Sequence, residues 1–208
     1  MPTYDARAGQ YRGENGRFVP RLEIMRLLDQ EAVRTQTQLR GHTRLLIGGK
    51  LDLAEWESRT AATLKAAHLR IASLAAGGKG NLSPKHYGAI GYQLRGQYEY
   101  LDKFANDLAA GKLTPNQALR RSAQYGQSIR KTFHRAEQIT RGSEGFSEAK
   151  RSLDPQAKHC ASCLAHSTRG RWKPIAEVVL PGAACACGQF CRCSIVYRYR
   201  RESSKQAS

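Results

Sequence analysis

All six cysteines of this 208-residue chain lie within residues 160–193. Cys160 and Cys163 have the Cys-x-x-Cys spacing at which a tight turn can point two thiolates at one metal ion. The second group, CACGQFCRC, follows the turn sequence LPG and begins at Cys185. Two such groups are typical of a structural Zn²⁺ site, because zinc in these sites takes four ligands in a tetrahedron.

Six thiols exceed the four ligands of one zinc ion, so the sequence leaves a choice among them. We predict a site made of one pair from each group: Cys160, Cys163, Cys187 and Cys191. The second pair brackets GQF, a loop able to curl round a metal ion. Cys185 is an alternate for Cys187. Cys193 is an alternate for Cys191, because residues two apart on a strand point to the same face.

Two other uses of the cysteines fit the sequence less well. A disulfide scaffold needs an oxidising compartment and is most useful to a small domain without a core. A redox or nucleophilic cysteine needs a βαβ context, or a separate histidine with an asparagine or aspartate. His159 and His166 are predicted to lie beside the metal site or at the surface. The other four histidines fall on separate helices, where core or surface positions are expected: His42, His68, His86 and His134.

Four stretches with apolar residues at helical spacing precede the cysteines. The first follows Pro20, and the next three begin at the cap residues Asp52, Ser83 and Thr114. The last runs to about Arg141. Short loops between the helices predict a mainly α fold, an antiparallel helical bundle with a small C-terminal zinc-binding β-hairpin module. RWKPIAEVVL and SIVYRYR, rich in β-branched and aromatic residues, are the expected strands of that module.

The third helix contains three glycines, Gly88, Gly91 and Gly96. Glycine inside a helix destabilises it by up to about 1 kcal/mol, so we expect these positions to pack closely against another backbone.

Composition shifts along the chain predict five segments. They are an N-terminal arm (1–19), the α-helical bundle (20–142), a linker (143–157), a zinc-ribbon-like module (158–201) and a tail (202–208). Within the arm, GENG predicts a hairpin turn, because Asn-Gly suits positive φ angles.

The chain is strongly basic, with 34 Lys and Arg residues against 17 Asp and Glu and a formal net charge of +17. Such a charge favours an acidic polymer or an anionic surface as partner. The predicted nucleic-acid-facing residues are Arg120, Arg121, Arg130, Lys131, Arg135, Arg192, Arg198 and Arg200. No run approaches the ~20 apolar residues that span a bilayer, so we expect no membrane partner. The first residues lack the apolar segment of a secretory signal, which predicts a reducing cytoplasm.

The last third of the chain resembles a known family. LDPQAKHCASCLA, LPG and FCRCSIVYR are similar to the C-terminal module of tailed-phage head morphogenesis proteins, the minor head proteins of the phage Mu type. That pattern has a Cys-x-x-Cys, a hairpin with Gly and Pro, and a closing Cys-Arg-Cys. This chain has CGQF where the pattern usually has His-Pro, which leaves the register of the fourth ligand open. The resemblance is specific over residues 153–200 and loose over residues 10–141.

The resemblance implies a virion structural protein that acts in head assembly at the portal or head interior, close to packaged DNA. Portal, capsid or neck proteins are the implied partners, with a homo-oligomer in the virion and the host cytoplasm as the place of assembly. No carboxylate pair, phosphate loop or Ser-His-Asp arrangement stands out, so we predict no enzymatic activity. Two alternatives stay open: a head-to-tail neck or connector subunit, and an intracellular zinc-ribbon protein that binds nucleic acid.

Overall fold

The structure is a computed structural model that describes residues 2–167 and 170–199. Within these ranges the chain is mainly helical, with a small three-stranded sheet towards each terminus. The chain forms two compact units, residues 1–136 (unit 1) and residues 137–208 (unit 2). Arg200 and the tail predicted over 202–208 lie outside the described residues. No helix in the described ranges is long and apolar enough to cross a membrane.

The three long helices of unit 1 begin where the sequence predicts them. They are α1 (Arg21–Ile47), α2 (Leu53–Ala76) and α3 (Pro84–Ala109). Asp52 caps α2, because its Oδ1 accepts a hydrogen bond of 2.7 Å from the backbone N–H of Glu55. At the start of α3 the backbone N–H of Ser83 donates to Nδ1 of His86 over 3.0 Å. Asp52 therefore accepts one of the backbone N–H groups that a helix start leaves without partners, and His86 accepts the backbone N–H of the cap residue Ser83.

The prediction of one continuous fourth helix is wrong. The structure divides it into α4 (Pro115–Tyr125), a 3₁₀ turn (Gly126–Ser128) and α5 (Ile129–Ser143). Helix α1 comes very close at the division, since a Cβ on Gly126 would lie 2.6 Å from Cγ and 2.9 Å from the backbone N of Gln36. The tighter turn therefore falls where two helix backbones meet and a side chain has no room.

The close packing expected at the three glycines of α3 is also wrong. A Cβ added to Gly88, Gly91 or Gly96 would meet no atom within 4 Å. Gly88 and Gly91 lie on the exposed side of the helix, and Gly96 is half-buried. The close backbone approach occurs at Gly126 instead.

The N-terminal segment folds as a small antiparallel sheet. Its strands are β1 (Thr3–Asp5), β2 (Gln10–Arg12) and β3 (Phe18–Val19), in that order. The predicted hairpin turn at GENG is confirmed, because β2 pairs with β3 across it. Tyr11 is buried and its hydroxyl donates to the carbonyl O of Ala75 in α2 over 3.1 Å. The segment predicted as an arm thus packs against the end of α2.

The core of unit 1 lies between the helices. Helix α1 packs against α2 and α4, and α2 packs against α3. Trp56 is fully buried, with its ring edge-on to Phe104 at 5.2 Å. Its Nε1 donates to Oγ1 of Thr43 over 3.1 Å, so the indole has both apolar contacts and a hydrogen-bond partner.

Unit 2 contains a three-stranded sheet in place of the predicted hairpin. Strand β4 (Glu148–Ser152) lies between β5 (Lys173–Pro174) and β6 (Ser194–Arg198) and is antiparallel to both. The two predicted strands therefore pair with β4 and not with each other. Strand β4 falls within the predicted linker, where EAKRS reads as a polar loop although Ala149 and Arg151 are buried.

Candidate metal centre

A short helix, α6 (Ala161–His166), positions the first two cysteines. Cys160 is its N-cap residue, and its Sγ accepts a hydrogen bond of 3.4 Å from the backbone N–H of Cys163. Cys163 lies in the first turn and is 2% exposed. The Cys-x-x-Cys spacing therefore works here as a helix start that buries its second thiol.

A 3₁₀ turn (Gly188–Phe190) separates Cys187 from Cys191. Gly188 has φ of +51°, a left-handed conformation that favours glycine. Its N–H donates to the carbonyl O of Cys185 over 2.8 Å, which closes the turn before it. The loop predicted to curl between Cys187 and Cys191 is thus a compact turn. It brings the sulfurs of Cys185, Cys187 and Cys191 close together.

Four sulfur atoms converge within 4.8 Å of one another: those of Cys163, Cys185, Cys187 and Cys191. Sγ of Cys163 lies 3.4 Å from Sγ of Cys187 and 3.7 Å from Sγ of Cys191. A zinc ion with Zn–S bonds of about 2.3 Å in a tetrahedron sets its sulfurs about 3.8 Å apart. The spacing of the cluster therefore fits a four-coordinate metal ion.

Three of the four predicted ligands belong to this group, with Cys185, an alternate, as the fourth member. Cys160 lies outside the group of four, at the N-cap of α6, although it packs against the cluster. The sequence could not distinguish the two, because the distinction depends on how the second group folds back towards α6. All six cysteines are free thiols in the structure.

A second group joins His159 and Cys193 to Cys163, again within 4.8 Å. Nε2 of His159 lies 2.8 Å from the carbonyl O of Asp154. In the tautomer with the proton on Nε2, the ring donates a hydrogen bond to this oxygen. Nδ1 then faces Sγ of Cys193 at 4.0 Å. His159 thus lies beside the thiols, with a nitrogen lone pair directed towards them.

Arg151 of β4 is the functional residue that the sequence did not reveal. It is 2% exposed, and its Nη2 donates to Sγ of Cys185 and Cys191 at 2.9 Å and to Sγ of Cys163 at 3.3 Å. Its Nε and Nη1 are buried without a hydrogen-bond partner. A buried guanidinium needs negative charge nearby, and the Cys191 thiolate, whose pKa is lowered, supplies it. The sequence EAKRS carries no signal of this role, because the alternation of buried residues along β4 is seen only in the structure.

The thiols differ in proton affinity. Hydrogen bonding, chiefly from the backbone N–H of Cys163, lowers the pKa of Cys160 to about 6. A hydrogen bond from Cys193, with the charge of Arg151 nearby, lowers the pKa of Cys191. Burial raises the pKa of Cys163 to about 11. The array thus holds both thiolates and thiols, and a divalent cation would favour the ionised form of every ligand.

Most of the predicted nucleic-acid-facing arginines have carboxylate partners. The ion pairs are Arg121–Asp107, Arg130–Asp29, Arg192–Asp154 and Arg198–Glu148. Arg120 and Arg135 are exposed and Lys131 is half-buried. Arg200 lies beyond the described part of the chain. Since the four carboxylates belong to other elements, the sequence of one helix or strand did not show that these charges are compensated.

Fold and site together define a mainly helical protein whose C-terminal unit carries a cysteine cluster that could hold a metal ion. No protein-family model, curated protein or solved structure matches the chain. The chemistry of the cluster and the distribution of charge therefore carry the functional conclusion.

Proposed function

We propose that the chain is a structural component of a tailed-phage virion that acts in head assembly, and that unit 2 is its structural zinc module. One observation supports this most. Cys163 of the Cys-x-x-Cys and three cysteines of CACGQFCRC, the motifs that resemble the phage head proteins, converge within 4.8 Å. The residues of the motif thus lie in an arrangement that could bind a metal ion.

Zinc is the ion that best suits this ligand set. Four thiolates are soft ligands, and a tetrahedral sulfur site favours Zn²⁺ or iron–sulfur chemistry over magnesium or calcium. All four positions are filled by protein, as in a structural zinc site, whereas a catalytic site keeps one position open. Cys163, Cys185, Cys187 and Cys191 are the proposed ligands, and the ion would fix α6 to the turn before β6.

The helices of unit 1 provide the proposed assembly surface as an antiparallel bundle. Portal, capsid or neck proteins of the particle are its partners, and the excess of positive charge suits a position close to packaged DNA. Copies of the chain would then associate in the virion.

Mass spectrometry of purified particles and of assembly intermediates tests the virion role. We expect peptides from both units in one or both fractions, at a constant ratio to the portal protein. Absence of the chain from particles and from intermediates alike contradicts the role.

Elemental analysis of the purified chain tests the zinc module separately. We expect about one zinc ion per chain, as four thiolates complete one tetrahedral site. Cys163→Ser should lose the metal. The matched control Ser162→Ala, in the same helix, should keep it. A metal-free chain with an intact unit 2 contradicts the module.

The second candidate is an intracellular zinc-ribbon protein that binds nucleic acid. It is favoured by exposed arginines without carboxylate partners, described next. Particle composition separates the two candidates, because only the first predicts the chain in virions or their intermediates.

A further inference from the structure

We propose that Arg40, Arg44 and Arg120 form a phosphate-binding surface for a nucleic-acid backbone. Arg40 and Arg44 belong to α1, and Arg120 belongs to α4, which packs against it. Together with Asn116 and Leu119 they line one depression on unit 1. Arg40 and Arg44 are four residues apart, so their side chains leave the same face about 6 Å apart along the helix axis.

The three arginines differ from their neighbours in charge compensation. All three are exposed. Within residues 2–167 and 170–199, no carboxylate lies within ion-pair distance of any of them, whereas Arg121 and Arg130 each hold an aspartate. Among the described residues, the lining of the depression includes no acidic side chain. Three guanidinium groups are thus presented to solvent round one concave surface, with their charge available to a ligand.

Phosphate suits this surface better than an acidic protein does. Guanidinium groups bind phosphate oxygens in a bidentate manner, and Asn116 adds an amide that can donate to a phosphate. A stable protein interface usually needs apolar or aromatic anchors that fill pockets. Leu119 is the single apolar residue in the part of the lining that the structure describes. A polymer of phosphates needs no such anchor, because counterion release drives its binding.

The surface includes one of the predicted nucleic-acid-facing residues, Arg120, together with two arginines of α1, Arg40 and Arg44. The proposal of a phosphate-binding surface depends on the proposed function in one respect only, which is that DNA is the polymer bound. The contacts that define it lie within unit 1 and do not involve the cysteine cluster.

Salt-dependent binding of the full chain to a fluorescent 30-base-pair DNA of mixed sequence tests the surface. In the variant R40Q/R44Q/R120Q about three phosphate contacts are lost, so the slope of log K against log salt should fall by about 3. At low salt we expect affinity to fall by on the order of 100-fold. The control K65Q/K85Q/R95Q removes the same charge from exposed positions of α2 and α3 and should change the slope by less than about 1.

Equal losses in the two triple variants overturn the proposal, because net charge alone would then explain binding. Unchanged DNA binding by R40Q/R44Q/R120Q overturns it as well, and so does a wild-type chain that fails to bind DNA at low salt. None of these results alters the particle composition that tests the virion role. If the triple variant does not fold, the single variants R44Q and R120Q test the surface instead. Each is expected to lower the slope by about 1.

Discussion

Arg151 puts a permanent positive charge among the thiols of unit 2. Four thiolates round a divalent ion carry a net charge of −2, and the guanidinium bound to Cys163, Cys185 and Cys191 offsets part of it. A partner outside the ligand set that compensates charge typically alters metal affinity by about 10- to 100-fold. The residue is therefore a positioning and charge-balancing group of the proposed centre.

Substitution of Arg151 by Met should weaken zinc binding by about 10- to 100-fold, measured by competition with a chromophoric chelator. Arg151→Lys should recover part of the affinity, since it restores the charge without the planar donor group. Arg192→Met is the matched control, because Arg192 is largely exposed and pairs with Asp154. Tighter binding by Arg151→Met would instead show that the guanidinium competes with the ion for the sulfurs.

A second prediction at the scale of residues concerns which cysteines bind the metal ion. Cys185→Ser should lower zinc affinity at least 10-fold more than Cys160→Ser, because the first removes one of four converging sulfurs and the second a helix cap. Competition titrations on the two variants, side by side, measure the difference. A larger loss in Cys160→Ser would restore the ligand pair that the sequence alone favours.

His68 makes the stability of unit 1 depend on pH. It is fully buried, with Nδ1 2.6 Å from Oγ1 of Thr132, and burial lowers its pKa to about 4 from 6.5. The unfolded chain binds the proton first, so stability is complete above pH 6.5 and falls as the pH drops towards 4. The total loss is about 3 kcal/mol.

Chemical unfolding followed by far-UV circular dichroism at several pH values measures this dependence. His68→Gln keeps a polar group but cannot titrate, so the stability of this variant should change less between pH 6.5 and 4 than that of the wild type. His166→Gln removes a histidine of unit 2 and should leave the wild-type slope unchanged. Parallel slopes for wild type and His68→Gln would show that other groups cause the acid sensitivity.

At the scale of elements, local signals predicted the helix starts and missed the contacts between elements. Cap residues such as Asp52 act within one helical turn, so the local sequence is enough to predict where the helix begins. The break at Gly126 depends on Gln36, ninety residues earlier, and no local pattern reports it. Leu22 fits the apolar spacing of α1 but is 65% exposed, whereas Ile24 is fully buried. Strand β4 was missed for the same reason, because its polar residues are buried by partners distant in sequence.

The junction between α4 and α5 allows a paired test. Gly126→Ala should lower the free energy of unfolding by about 1–3 kcal/mol, because its Cβ would meet the backbone of α1. Gly91→Ala, in α3 with no atom within 4 Å, should raise it by up to about 1 kcal/mol through helix propensity. Denaturant titration of the helical signal measures both. The same sign for both substitutions would contradict the close approach at Gly126.

At the scale of the whole molecule, the two units depend on different forces. Unit 1 has an extensive core of buried apolar side chains between its helices. In the described part of unit 2 the apolar cluster at the sheet has three buried members, Ala149, Val178 and Ile195, and the thiols form the other cluster. So small a core rarely stabilises a fold alone, and metal binding then supplies folding free energy.

Removal of the metal by a chelator should therefore unfold unit 2 and leave unit 1 folded. Hydrogen exchange followed by mass spectrometry measures both units in one sample. Peptides from β4 and β6 should lose their protection, peptides from α1, α2 and α3 should keep it, and added zinc should restore the first set. Protection of β4 that survives complete loss of metal would show that the sheet and the bonds from Arg151 to the sulfurs hold unit 2 together without an ion. The cysteines would then act as acceptors for a buried arginine, and the zinc module would have to be abandoned.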